Sequence, residues 1–522
     1  MELIKKTIYM NRLKGKTVTQ ITLDDDRNVP DTKADIEYII QEQGDVRLDD
    51  CRVMGDRAGL RGKLVFHILY QTPVQGNVES LSGDIIFDEL VNIDGLDEND
   101  HVQVQWDIED LSADLVNSRK VSVKAVITFT LFVQQIYDEQ TAVDAVGEAN
   151  LDCLKKTVEA AQTALQKKDT YRIREETELP ASKPNIREVL WSSVQLRGVE
   201  TRPLDGSVSL RGELLLFCMY SGEEEHIPVQ WMERSVPFSG TVDLPDCTEE
   251  MIPAIDVRLQ SQELNASPDY DGENRVLSLD AVLELDITLY EEEVTEILAD
   301  VYAPGKNLEP EWGKAYFESL MIKNMSKCRL SDKFTLSDSE KLLQVCHCDG
   351  SVKIDQVKIQ EDGLAVEGAV CVTVLYISAD DRRPMQSVKG AVPFQYVVEV
   401  KGITPDCIYR IKPGMEQLAA LMLGSDEIEI KAAVVFDVLV LKRVEEQIIR
   451  SVTESPLNME AIEKMPGIVG YIVQPGDTMW GIAKKFRTTQ ESVKQVNGLD
   501  SDILKPGQRL LILKEAEEML QD

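Results

Sequence analysis

The 522-residue sequence predicts a mainly β protein: three tandem antiparallel β-sandwich-like repeats with helical connectors, then a small C-terminal α+β domain. Three observations lead there. Four segments recur three times in one order, with copies 150 and 156 residues apart. The recurring segments alternate apolar and polar residues, the period of a half-buried strand. Over residues 469–513 the pattern changes to strand, helix, helix, strand.

The repeat is anchored by "LRGKLVFHILYQ" (60–71), which returns as "LRGELLLFCMYS" (210–221) and "VEGAVCVTVLYI" (366–377). In each copy a glycine precedes a tyrosine by eight residues: Gly62 and Tyr70, Gly212 and Tyr220, Gly368 and Tyr376. Ile36, Ile186 and Leu342 each stand 26 residues before that glycine, and Phe87, Phe238 and Phe394 follow the tyrosine by 17 or 18. "SVKAVITFTLFV" (122–133), "LSLDAVLELDITLY" (277–290) and "IEIKAAVVFDVLVL" (428–441) close the copies. Turn chemistry such as "LDGSVS" and "SPDYDGENR" separates the strands. Each copy is long enough to carry its own core, so a sandwich or related barrel is expected rather than a solenoid unit.

Between copies the apolar period lengthens. Leu151, Leu154, Val158, Ala161 and Leu165 are spaced 3, 4, 3 and 4, and Trp312, Tyr316, Phe317, Leu320 and Met321 behave similarly. That spacing predicts one stripe of a helix in each connector. The expected division is β modules at 1–140, 169–293 and 325–454, helical connectors at 141–168 and 294–324, a linker at 455–466 and the terminal domain at 467–515.

In the terminal domain, "YIVQPGDTMWGIAKKF" gives a strand, a turn and a helix that Asp477 or Thr478 can cap. A second helix ends at Asn497-Gly498, and "ILKPGQRLLIL" supplies the last strand.

Composition narrows the function. With 56 basic against 92 acidic residues, the net charge is −36, which disfavours nucleic acid and anionic membrane surfaces. The N-terminal "MELIKKTIYM" lacks the apolar core of a signal peptide, and no stretch approaches a membrane-spanning length. Nine scattered cysteines suit buried thiols in a reducing compartment. No enzymatic constellation emerges: there are four histidines, and His67 falls where the other copies have Phe217 and Thr373. Cys346, His347 and Cys348 lack further partners at zinc-site spacing, so no metal or other cofactor is expected.

Two resemblances follow. Residues 471–512, with Tyr471, Gly476, Asp477, Thr478, Trp480, Asn497, Gly507 and Ile512 in place, resemble a LysM domain. The resemblance implies an N-acetylglucosamine groove between Gly476, Asp477, Thr478 and Met479 on one side and Ile503, Leu504, Lys505 and Pro506 on the other. Residues 467–514 hold seven basic and four acidic residues, so this groove suits an acidic protein face as well as a glycan. The "RGKLVFHILY" and "RGELLLFCMY" copies resemble the SPOCS domain of endospore-forming Firmicutes. Three such repeats before one LysM resemble the SipL-like family of spore coat morphogenetic proteins. The family resemblance implies a non-enzymatic protein of the mother-cell cytoplasm, at the forespore surface and spore coat. It implies one partner above others, stage IV sporulation protein A, the ATPase of the coat's basal layer. Other coat proteins or a glycan are further candidate partners; nucleic acid and membrane insertion are not expected.

Overall fold

A computed structural model describes residues 1–74, 76–147, 151–223, 229–336, 341–457 and 466–513. The first repeat contributes β1 (Glu2–Asn28), β2 (Tyr38–Met54), β3 (Arg57–Gln71), β4 (Val78–Asn92), β5 (His101–Asn117) and β6 (Lys120–Val146). The second contributes β7 (Asp152–Glu178), β8 (Ile186–Leu204), β9 (Ser207–Gly222), β10 (Gln230–Asp243), β11 (Ile252–Pro268) and β12 (Asn274–Tyr302). The third contributes β13 (Asn307–Thr335), β14 (Leu342–Gln360), β15 (Gly363–Ser378), β16 (Met385–Glu399), β17 (Ile408–Met422) and β18 (Glu427–Ser455). β19 (Ile468–Ile472), α1 (Met479–Phe486), α2 (Gln490–Asn497) and β20 (Arg509–Leu513) form the terminal domain.

Each repeat folds as two antiparallel three-stranded sheets. In the first they are β2-β3-β4 and β1-β6-β5, and the other two copies repeat this order strand for strand. The sheets face each other over one core; in the first repeat Leu60, Leu64 and Phe87 of one sheet meet Ile127, Phe129 and Leu131 of the other. The recurring motif supplies the central strands β3, β9 and β15. Its tyrosines, Tyr70, Tyr220 and Tyr376, are fully buried, and so are Ile36, Ile186 and Leu342.

The motif glycine has a direct steric cause. Gly62, Gly212 and Gly368 lie across the ladder from Phe87, Phe238 and Phe394 respectively. A Cβ added to each glycine would come within 2.8, 2.8 and 2.9 Å of the facing ring. The ring lies over the bare backbone, covering it as aromatic residues cover glycine in a sheet.

The connectors overturn the helical expectation. Residues 141–146 finish β6, 152–168 open β7, 294–302 finish β12 and 307–324 open β13, all as strand. Each repeat thus extends one very long antiparallel pair, β1–β6, β7–β12 or β13–β18, beyond its sandwich. Each of these long pairs carries two β-bulges. The ladder shifts between Leu13 and Gly15, again at the equivalent Leu289/Tyr290, and again at Leu320/Ile322. A second shift occurs at Ile4/Lys5, at Leu298/Asp300 and at Glu311/Trp312. β7 and β13 themselves hold one extra residue each, Ala164 and Met321, while the second shift places its extra residue on the partner strand, so the 3–4 spacing is not a stripe turned inward. Within β7 only Val158, Ala160 and Ala161 of this stretch are fully buried, and Leu154 is exposed.

These extended hairpins pack on one another. Ile8 and Met10 of β1 meet Val158 and Ala160 of β7 and Ala315 and Phe317 of β13, all at equivalent ladder positions. Ala142, Ala145, Leu298, Val301 and Ile449 form the next layer toward the tip. Salt bridges close each seam: Lys6 with Glu293, Lys156 with Glu446 at 2.6 Å, and Arg450 with Glu139 at 2.6 Å. The result is a three-hairpin stalk around a common axis.

The sandwiches also close on one another. Leu69, Met219 and Leu375, each just before its motif tyrosine, share a core with Ile40, Leu190 and Cys346, each of which sits at a bulge of β2, β8 or β14. All three pairs of repeats are joined: Gln103 to Asp256 at 2.8 Å, Arg410 to Asp256 at 2.8 Å, and Lys389 to Glu42 at 2.5 Å. The body is a pseudo-threefold ring of sandwiches carrying a pseudo-threefold stalk.

Candidate functional site

The terminal domain is assembled from its caps inward. Thr478, in extended conformation, accepts a hydrogen bond from the Gly481 amide and starts α1; Thr489 does the same for α2 through Ser492. Gly498, left-handed at φ 60°, ends α2. Met479, Trp480, Ile482, Ala483, Val493, Leu510 and Ile512 form the core between the helices and the β19–β20 pair.

The expected groove residues separate by role. Gly476, left-handed at φ 92°, makes the turn before α1. Asp477 accepts from the Tyr471 hydroxyl at 2.8 Å and from the Gln474 amide at 2.7 Å. Those two donors, the amide first, hold its carboxyl below the usual carboxylate range. Met479 is turned into the core, so its side chain does not line the surface. Thr478 is exposed while its hydroxyl caps α1. On the facing loop Ile503 is 81% exposed, Lys505 and Pro506 are exposed, and Leu504 packs half-buried on the core. The Lys505 amide donates to the Gln508 side chain at 3.1 Å, and Gly507 bonds the Val473 carbonyl at 2.8 Å. The two loops therefore offer backbone groups, one apolar residue and one ammonium, with the carboxylate already engaged.

The comparisons agree with this architecture. The family described as SipL, SPOCS domain matches residues 35–116, 185–267 and 341–423, and the LysM domain family matches 471–513. The chain carries three SPOCS domains of the SipL family and one C-terminal LysM domain. Both families are non-catalytic domains, and the first is sporulation-associated.

Curated relatives match the LysM region. A probable endopeptidase p60 of Listeria grayi is 48% identical over 50 residues, a tenth of each chain. The corresponding protein of Listeria welshimeri is 45% identical over 47 residues, 9% of each chain. A probable autolysin, SsaALP, of Staphylococcus aureus is 47% identical over 38 residues, 7% of this chain and 14% of that one. The chain thus spans only about a tenth of the length of these relatives. No solved structure matches.

The cysteine–histidine run lies where the second and third SPOCS domains meet. His347 stacks on Phe217 at 4.0 Å between centroids, its Nε2 lies 3.0 Å from Ser193 Oγ and its Nδ1 2.9 Å from Glu233 Oε2. The arrangement resembles a Ser–His–carboxylate relay, but Ser193 is 1% exposed inside the contact between domains. Both ring nitrogens are engaged, and burial pushes the flanking Cys346 and Cys348 thiols up to about 12. The triad fastens the second domain to the third.

Three residues outside the LysM domain bear on it and were not singled out in the sequence. Asp300 and Tyr302, at the end of β12, and Asp152, at the start of β7, contact α1 and the α1–α2 junction. Alignment of the repeats carries a signal for Tyr302, matched by Val146 and Thr453; Asp300 is matched by Asp144 in the first copy and Ser451 in the third.

Proposed function

We propose that this chain is a non-enzymatic scaffold and adaptor for endospore coat assembly at the forespore surface. The observation that carries the reading is the union of three SPOCS domains in one closed body with a single LysM domain. A closed body of this kind presents three related surfaces at fixed separations, which favours multivalent contact with a polymeric partner. In this reading the LysM recruits stage IV sporulation protein A, the coat's basal-layer ATPase. Its local excess of basic residues, in a chain of net charge −36, supports an acidic protein face as ligand.

A second reading keeps the LysM as a binder of N-acetylglucosamine polymers in the spore envelope. It is favoured by the open loops around Thr478 and Ile503 and by the LysM match to a probable endopeptidase and a probable autolysin. One experiment separates the two. The full chain is titrated with chito-oligosaccharide and, separately, with the purified ATPase at low and high salt. The adaptor reading expects ATPase binding that weakens with salt and with Lys505→Glu or Arg509→Glu. Sugar binding without ATPase binding establishes the glycan reading instead.

A further inference from the structure

The LysM domain rests on the tip of the stalk through a compact set of contacts. Asp300 accepts from the Trp480 indole at 3.0 Å and pairs both carboxylate oxygens with Lys484 Nζ at 2.6 and 2.7 Å. Tyr302 meets Trp480 edge-on at 4.8 Å, belongs to the LysM core cluster, and donates to the Thr488 carbonyl at 2.8 Å. Asp152 lies 2.6 Å from the Tyr302 hydroxyl and accepts from the Gln490 amide at 3.3 Å. One aromatic ring, two carboxylates and the start of α2 thus fit together, with the ring's own hydroxyl bonded.

The other two hairpins cannot reproduce this set. Where the second hairpin has Asp300 and Tyr302, the first has Asp144, already paired with Lys155 at 3.0 Å, and an exposed Val146. The third has Ser451, whose hydroxyl bonds Glu311 at 2.6 Å, and Thr453. Neither offers a ring to cover Trp480. The stalk is threefold in its packing but singular at its tip.

We propose that Asp152, Asp300 and Tyr302 form a dedicated docking site that selects the second hairpin and seats the LysM domain there as a fixed cap. The face of α1 that carries Trp480 and Lys484 is occupied by the chain itself. The loops at Gly476–Thr478 and Ile503–Pro506 remain open. The LysM therefore has two working surfaces: an internal one that reads an Asp-x-Tyr strand end, and an external one free for a ligand. Docking fixes where the external surface stands relative to the three SPOCS domains. This inference holds whichever ligand the groove takes.

The test uses the full chain and reads hydrogen exchange over residues 479–490 together with the radius of gyration in solution. Asp300→Lys with Tyr302→Ala is expected to speed exchange in that segment at least tenfold and to enlarge the particle, leaving exchange in β3, β9 and β15 unchanged. Lys484→Glu, made on the LysM side and leaving the stalk intact, is expected to do the same; it guards against a fold defect in β12. Lys484→Arg is expected to retain the protection. If the wild-type segment already exchanges as fast as in the variants, or Lys484→Glu leaves both readouts unmoved, the LysM is a tethered arm and the proposal fails.

Discussion

At the scale of residues, the motif that announced the repeats is a steric device. Gly62, Gly212 and Gly368 recur because a facing phenylalanine on one side and the carbonyl of Arg47, Arg197 or Lys353 on the other occupy the space of a side chain. Gly212→Ala is therefore expected to cost about 1–3 kcal/mol, read as a fall in the urea midpoint, because the strand cannot move away from β8 and β10 on both sides. Glycine, tyrosine and phenylalanine spacings were legible because each position answers to its own sandwich. Single charged residues at the seams were not, since their partners lie in other repeats. Glu318 was not legible either: it faces Arg443 across its own hairpin, yet burial pushes its carboxyl up to about 7, with Arg443 offsetting only part. The native group holds its proton while the unfolded chain releases it near 4.5, so its contribution to stability falls as pH rises from there to about 7. Glu318→Gln is expected to flatten that part of a stability–pH profile; an unchanged profile would show that this carboxyl does not control it.

At the scale of elements, the stalk is the part that the sequence misrepresented. The helix-like spacing in β7 and β13 counted apolar residues that the strands leave exposed, Leu154 and Trp312 among them. Hydrophobic periodicity reports an inward face only where its apolar residues are buried, and single exposed apolar residues are common on a folded surface. The terminal domain was legible to its caps, because Thr478, Thr489 and Gly498 act within a few residues of their own position. Thr478→Ala is expected to remove about 1 kcal/mol from α1, measured as a lower melting temperature of the LysM domain with the stalk unaffected. Phe317→Ala, in the three-hairpin core, is expected to cost about 3–5 kcal/mol and to loosen the stalk before the sandwiches, visible as early exchange in β1, β7 and β13.

At the scale of the whole molecule, ring closure depends on residues such as Asp256, which joins all three repeats through Gln103, Arg410 and Lys412. Burial alone would raise its carboxyl, but Lys412, Arg410 and Arg258 outweigh that and hold it well below the carboxylate range. Its stabilising contribution is present above the unfolded value of about 3.8 and is lost as pH falls below it, opposite in sign to that of Glu318. Asp256→Ala leaves Arg410 and Lys412, neighbours on one face of β17, without their shared carboxylate in a largely buried seam and is expected to cost about 3–5 kcal/mol, seen as separation of the repeats at lower denaturant. Three tandem copies were legible in the sequence; their closure into a ring was not, because no single repeat encodes the contacts that join it to the other two. The long strands also decide how the molecule bears mechanical load. The LysM domain follows β18, a 29-residue strand paired with β13 along its whole length. A pull on the LysM loads its contacts with Asp300 and Tyr302 first; once these part, the force reaches β18 and is resisted by the β13–β18 hydrogen bonds. The stalk is built as a tension member.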